Sequence, residues 1–123
     1  MKKLKVLVIG GGGYIGSKLI MELINNEFNV KCFDRFSSSE TLSKLNKNVE
    51  IAIGDIRNIE SKNFFEINTV IDLAALTKDL DGKEKEIIEI NKNARKKIIE
   101  ISKTNGVSHY IRISSSNVYA GNK

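Results

Sequence analysis

Val8-Ile9-Gly10-Gly11-Gly12-Gly13-Tyr14-Ile15-Gly16-Ser17 is the stretch on which the reading of this 123-residue chain turns. The run Leu4 to Ile9 before the glycines is short, apolar and rich in β-branched residues, as suits a strand buried on both faces. After them the period changes. From Tyr14 to Asn26, Ile15, Leu19 and Leu23 with the neighbouring Ile20 and Ile24 make an apolar stripe at helical spacing, ended by Asn25-Asn26. The junction fits both G-x-G-x-x-G (Gly11, Gly13, Gly16) and G-x-x-G-x-x-G (Gly10, Gly13, Gly16). Glycine permits the tight turn, lets the backbone approach a pyrophosphate and allows the helix to pack close to the strand. The free N–H groups at the helix start then face the phosphates. The loop lacks the Gly-Lys-Ser/Thr end of a nucleoside triphosphate loop, and its bland alternative is a glycine turn without a ligand.

Working outward, the same two periods alternate. Val30 to Phe33 reads as a second strand, and Ser37-Ser38-Ser39 offers cap hydroxyls for a short helix through Leu45. Val49 to Ile53 is a third strand, closed by Gly54-Asp55, with a short helix or turn at Ser61 to Phe65. Asn68 to Leu73 is a fourth strand. The longest helix is expected from about Lys83 to Thr104, where Ile87, Ile90, Ala94, Ile98 and Ile101 form one face. Asn105-Gly106 stops it, glycine suiting the left-handed residue after a helix, and Tyr110 to Ser114 is the fifth strand. Strand and helix alternate throughout, which predicts an α/β fold: a doubly wound parallel sheet in the order 3-2-1-4-5, with helices on both faces.

Composition narrows the function classes. The chain is 41% hydrophobic and 28% charged, the balance of one globular domain spanning residues 1–123, with no proline, repeat or linker. No apolar run approaches the roughly 20 residues of a membrane span. The basic start Met1-Lys2-Lys3-Leu4-Lys5 leads only into Val6 to Ile9, too short for a signal-peptide core, so the chain reads as cytoplasmic. A single cysteine, Cys32, excludes an internal disulfide and, with His109 the only histidine, a multi-Cys/His zinc site. Cys32 reads as a small buried hydrophobe, and His109, at the start of strand five, as a surface or packing residue. Twenty Lys+Arg against fifteen Asp+Glu give a net +5. The lysines are interspersed with acids, as in Lys83-Glu84-Lys85-Glu86, with no Arg-rich tract and no nucleic-acid motif, so nucleic acid is not an expected partner.

In an open α/β sheet, ligands bind beyond the carboxyl ends of the strands, where strand order reverses. Here that lies between strands one and four. Asp34 ends strand two eighteen residues beyond Gly16, where a carboxylate accepts from the adenosine ribose hydroxyls and repels a 2′-phosphate, favouring NAD over NADP. Its alternative role is a cap for the serine-rich stretch. Arg35 can accommodate a 2′-phosphate or stack on adenine. Asp55 is either an ordinary turn residue or an acceptor for an exocyclic amino group, beside an apolar wall at Ile56. Ala74-Ala75 keeps side chains small either for the cofactor or for helix–sheet packing. Tyr14 is open between cofactor contact and packing, and the pair Phe64-Phe65 reads as a cover for the sheet.

With these residues assembled, the chain resembles the extended short-chain dehydrogenase/reductase family, in particular the NAD-dependent sugar-nucleotide epimerases and dehydratases, from Lys5 to Tyr119. The opening Val8 to Ser17 is similar to that family's glycine motif. Asp34-Arg35-Phe36 resembles its ribose-binding acid, and Gly54-Asp55-Ile56-Arg57 its adenine-binding turn. Val70-Ile71-Asp72-Leu73-Ala74-Ala75 resembles its fourth-strand segment, where His-Leu-Ala-Ala is common. Asn91 falls where the family has an asparagine in the long helix, and Ser114-Ser115-Ser116-Asn117-Val118-Tyr119 resembles its Ser-Ser-x-x-Val-Tyr-Gly segment. The resemblance implies a Rossmann-type three-layer α/β/α domain that binds NAD. It implies that Ser115 orients the substrate and polarises its carbonyl, and that a sugar nucleotide is the partner of the complete protein.

The family's catalytic tyrosine and lysine, four residues apart, come later on another helix. Tyr119 and Lys123 have that spacing, but Ala120-Gly121-Asn122 between them reads as loop, so the pair is not expected to share a helix face. The chain is therefore expected to be the NAD-binding portion of such an enzyme, inactive alone and inclined to self-associate through the uncovered sheet end. The alternative reading is a non-enzymatic NAD(P)-binding sensor.

Overall fold

The computed structural model describes residues 4–35, 48–74 and 84–113. Within them, five strands form one parallel sheet: β1 (Lys5–Ile9), β2 (Asn29–Asp34), β3 (Glu50–Ile53), β4 (Thr69–Asp72) and β5 (His109–Arg112), in the order β3-β2-β1-β4-β5. Helix α1 (Tyr14–Asn25) follows β1, and α2 (Glu84–Thr104) joins β4 to β5. The expected strand order is the one found. The expected helix at Ser37 to Leu45 lies outside the described residues.

Strand β1 is central because its residues tolerate no water on either face. Leu7, Val8 and Ile9 are fully buried, each contributing about 1.5–3 kcal/mol of burial. Alternation sends them to two cores. Leu7 and Ile9 join Phe33, Ile59, Phe64, Val70, Ala94 and Ile98 under α2. Val6 and Val8 join Ile20, Val30, Cys32 and Ile71 under α1. Helices therefore cover opposite faces, giving three layers.

The helix stripes hold with two corrections. On α1, Ile20 is buried and Leu19, Leu23 and Ile24 pack beside it, but Ile15 is 66% exposed at the helix start. Phe64 covers the sheet and is fully buried, whereas Phe65 is 69% exposed, because Ser61–Phe64 is a 3₁₀ turn that ends between them. A second 3₁₀ turn, Ile56–Asn58, follows Gly54-Asp55 at the end of β3, where the sequence reads as a turn. Gly106 takes the expected left-handed conformation after α2, with φ 73°. After α1 that conformation falls to Glu27 (φ 67°) instead of an asparagine. No described helix is long and apolar enough to cross a membrane.

Candidate functional site

The loop 10–16 is packed by absence of side chains. Gly10 has φ 85°, and a Cβ there would lie 2.9 Å from the Ala74 nitrogen, so strand order reverses at a point of backbone-to-backbone contact. A Cβ on Gly16 would sit 2.6 Å from Gly11 Cα, which is how α1 comes so close to the end of β1. Gly11 backs onto Cys32 and Ile20. Burial there pushes the Cys32 thiol up to about 12, with the Asp34 charge adding to it, so it remains a neutral packing group.

Gly13 differs from these three. It precedes α1 with φ −80° and ψ 180°, and a Cβ there would meet nothing nearer than the Gly10 carbonyl oxygen at 4.0 Å. Nothing among the described residues requires glycine at this position. Tyr14, 76% exposed, and Ile15 stand beside it at the surface. Tyr14 is not core packing: Lys18, one turn along α1, places its ammonium 2.7 Å from the Tyr14 hydroxyl and 4.3 Å from the ring centroid.

Asp34, half-buried at the end of β2, accepts a hydrogen bond from the Gly12 N–H at 2.7 Å through Oδ2. It thus ties the glycine loop to the second strand. Arg35 is exposed next to it. Across β3, Asp55 caps the 3₁₀ turn, with Oδ1 accepting from the Arg57 backbone N–H at 2.8 Å. The Arg57 side chain donates to both carboxylate oxygens, at 3.0 and 2.7 Å. That hydrogen-bonded pairing holds the Asp55 carboxyl well below the usual range, at about 2, with smaller help from Arg35. Ile56 is only 6% exposed and belongs to the core with Phe33 and Phe64, so a ligand would meet little of its side chain.

On the other side of the reversal, Ala74 is half-buried against Gly10, and Asn91 is half-buried on α2, one turn before Arg95. Ala75 and Ser115 lie outside the described residues, as do Tyr119 and Lys123.

One cluster carries no motif in the sequence. Asp72 at the end of β4 is fully buried. Arg95 Nε donates to its Oδ2 at 2.8 Å and the Tyr110 hydroxyl donates to the same oxygen at 2.6 Å. Arg112, beside it in register on β5, comes within 3.8 Å of Oδ1. Burial, then the hydrogen bond to Asp72 and its charge, raise the Tyr110 phenol well above its usual value, so it serves as a donor and not as a base. The available signal was an acid closing the apolar run Val70-Ile71, since a buried carboxylate must find cationic partners.

A five-stranded parallel sheet, a glycine loop at its reversal and an acid ending β2 define a Rossmann-type domain. Residues 6–123 match the profile of the NAD dependent epimerase/dehydratase family, and the chain belongs to that family. It is 30% identical to a UDP-glucose 4-epimerase of Klebsiella pneumoniae over 128 aligned residues, covering 94% of this chain and 92% of the relative. A bifunctional UDP-glucose 4-epimerase and UDP-xylose 4-epimerase of Pisum sativum is 41% identical over 64 residues, which cover 44% of this chain and 18% of that enzyme. Among solved structures, UDP-glucuronic acid 4-epimerase from Bacillus cereus in complex with NAD superposes with a TM-score of 0.78 at 28% identity. That match covers 95% of this chain and 42% of the enzyme, so the chain spans about two-fifths of its length.

Proposed function

We propose that these residues are the NAD-binding portion of a sugar-nucleotide epimerase or dehydratase. The observation that carries the reading is Gly13: a bare backbone position that no contact among the described residues explains, at the start of α1 and at the reversal of strand order. Room of that kind fits a ligand backbone lying against the loop, and the N–H groups of the helix start suit a pyrophosphate. Gly10 and Gly16 shape the loop beneath it, with Tyr14 and Ile15 at its rim. Asp34 receives the adenosine ribose and disfavours a 2′-phosphate, and Arg35, Asp55 and the Ile56 turn border the adenine. Ala74 lines the far side with Asn91, and the family resemblance assigns Ala75 to the cofactor and Ser115 to orienting the carbonyl of a sugar nucleotide in the complete enzyme. When bound, NAD supplies a hydride acceptor for a sugar carbon. The chain's own work is to bind and orient, and turnover is not assigned to these 123 residues alone.

Calorimetric titration with NAD and NADP tests the reading. The chain should bind NAD saturably and prefer it to NADP. Asp34→Asn keeps an acceptor for the Gly12 N–H but removes the charge, and it should weaken NAD about tenfold while narrowing the preference. Equal affinity for both dinucleotides in the unaltered chain would contradict the role given to Asp34.

A further inference from the structure

The polar groups around Asp72 do more than neutralise it. Its Oδ1 accepts from the Ala74 N–H at 3.1 Å. The two guanidinium groups that flank it reach on to the same residue: Arg95 Nη2 donates to the Ala74 carbonyl at 3.0 Å, and Arg112 Nη1 donates to it at 3.1 Å. Both backbone polar groups of Ala74 are therefore held by side chains drawn from β4, α2 and β5. Ala74 nitrogen is the atom that a Cβ on Gly10 would strike, and the neighbouring Leu73 N–H donates to the Ile9 carbonyl at 2.8 Å. The held peptide is thus packed directly against Gly10, at the point where strand order reverses.

We propose that Asp72, Arg95 and Arg112 are positioning residues for the dinucleotide: they fix the peptide at Ala74 against Gly10 and so set the wall that the cofactor meets. The proposal rests on the dinucleotide reading above. Its physical basis is the choice of an ionic cluster where apolar packing would hold a sheet equally well. A buried ion pair is often no more stabilising than hydrophobic residues of the same volume. What it adds is direction, because the planar Arg95 fork spans a carboxylate and a carbonyl at once and so fixes the peptide's orientation as well as its place. Tyr110 supports the arrangement by holding the second carboxylate oxygen.

The test uses Arg95→Lys in the 123-residue chain, with Arg112→Lys as a second variant. Lysine keeps the positive charge beside Asp72 but lacks the planar fork that fixes the angle between Asp72 Oδ2 and the Ala74 carbonyl. Ile98→Val, one helical turn from Arg95 in the core, is the control for general loss of stability. Amide hydrogen exchange in the free chain should quicken about tenfold at Ala74 in the lysine variants and stay level at Leu7 and Val8. NAD affinity should fall about fivefold, the effect of one lost hydrogen bond. Ile98→Val should leave both readings as in the unaltered chain. Unchanged exchange at Ala74, or unchanged NAD affinity, in the lysine variants overturns the proposal. An affinity loss of equal size in Ile98→Val overturns it too, since stability alone would then explain the effect. Failure of the unaltered chain to bind NAD sinks the dinucleotide reading itself, an outcome distinct from binding that is indifferent to Arg95.

Discussion

The two sides of the strand reversal hold their loops by opposite means. At the β1–β2 side, closeness comes from missing side chains: Gly16 and Gly11 touch, Gly10 touches Ala74, and the half-buried Asp34 binds one loop N–H. At the β4–β5 side it comes from added ones, a fully buried Asp72 surrounded by Arg95, Tyr110 and Arg112. The first arrangement depends on space and the second on charge balance. They should therefore fail differently when a single group is changed.

Removing each side's carboxylate should separate them most. Asp72→Ala leaves two guanidinium groups beside an uncompensated pocket and should cost about 3–5 kcal/mol in urea unfolding. Asp34→Ala removes the hydrogen bond to the Gly12 N–H at a half-buried site and should cost less, about 1 kcal/mol. Costs of similar size would erase the distinction. Next is Gly16→Ala: its Cβ would press on the Gly11 backbone, which cannot yield as a flexible side chain does, so a loss of about 2 kcal/mol is expected in the same assay.

The smallest effect concerns Asp55, whose partner Arg57 is half-exposed and screened by solvent. Its folded carboxyl lies near 2, below the ordinary value of 3.8. The stability it adds is therefore complete above about pH 4 and is lost as pH falls towards 2. Unfolding curves of Asp55→Asn and the unaltered chain should differ at pH 6 and converge near pH 2. A gap that persists at pH 2 would mean the pairing with Arg57 is not its source.

The same contrast explains what was legible in the sequence. Space-making residues leave a local signature: four consecutive glycines between a strand-period and a helix-period run mark the loop, and the alternation of periods marks a parallel α/β sheet, whose order follows from the doubly wound arrangement. The Asp72 cluster has no such signature. Its members lie on β4, α2 and β5, far apart in sequence: the parallel register sets Asp72 beside Arg112, and Arg95 reaches it from α2. Local chemistry also hid in the turn after β3, where Asp55 and Arg57 are two residues apart and satisfy each other. Ile15 and Phe65 show the limit of periodicity, which marks an apolar stripe but not where the neighbouring layer ends.

The central claim, that the glycine loop is shaped for a dinucleotide, is tested most directly at Gly13. Its backbone is extended and no described residue crowds it, so Gly13→Val should fold and melt like the unaltered chain. Saturable NAD binding by the unaltered chain in calorimetry, and its loss in Gly13→Val, are expected. Equal NAD binding by the two proteins would contradict the claim, as would absence of binding in both.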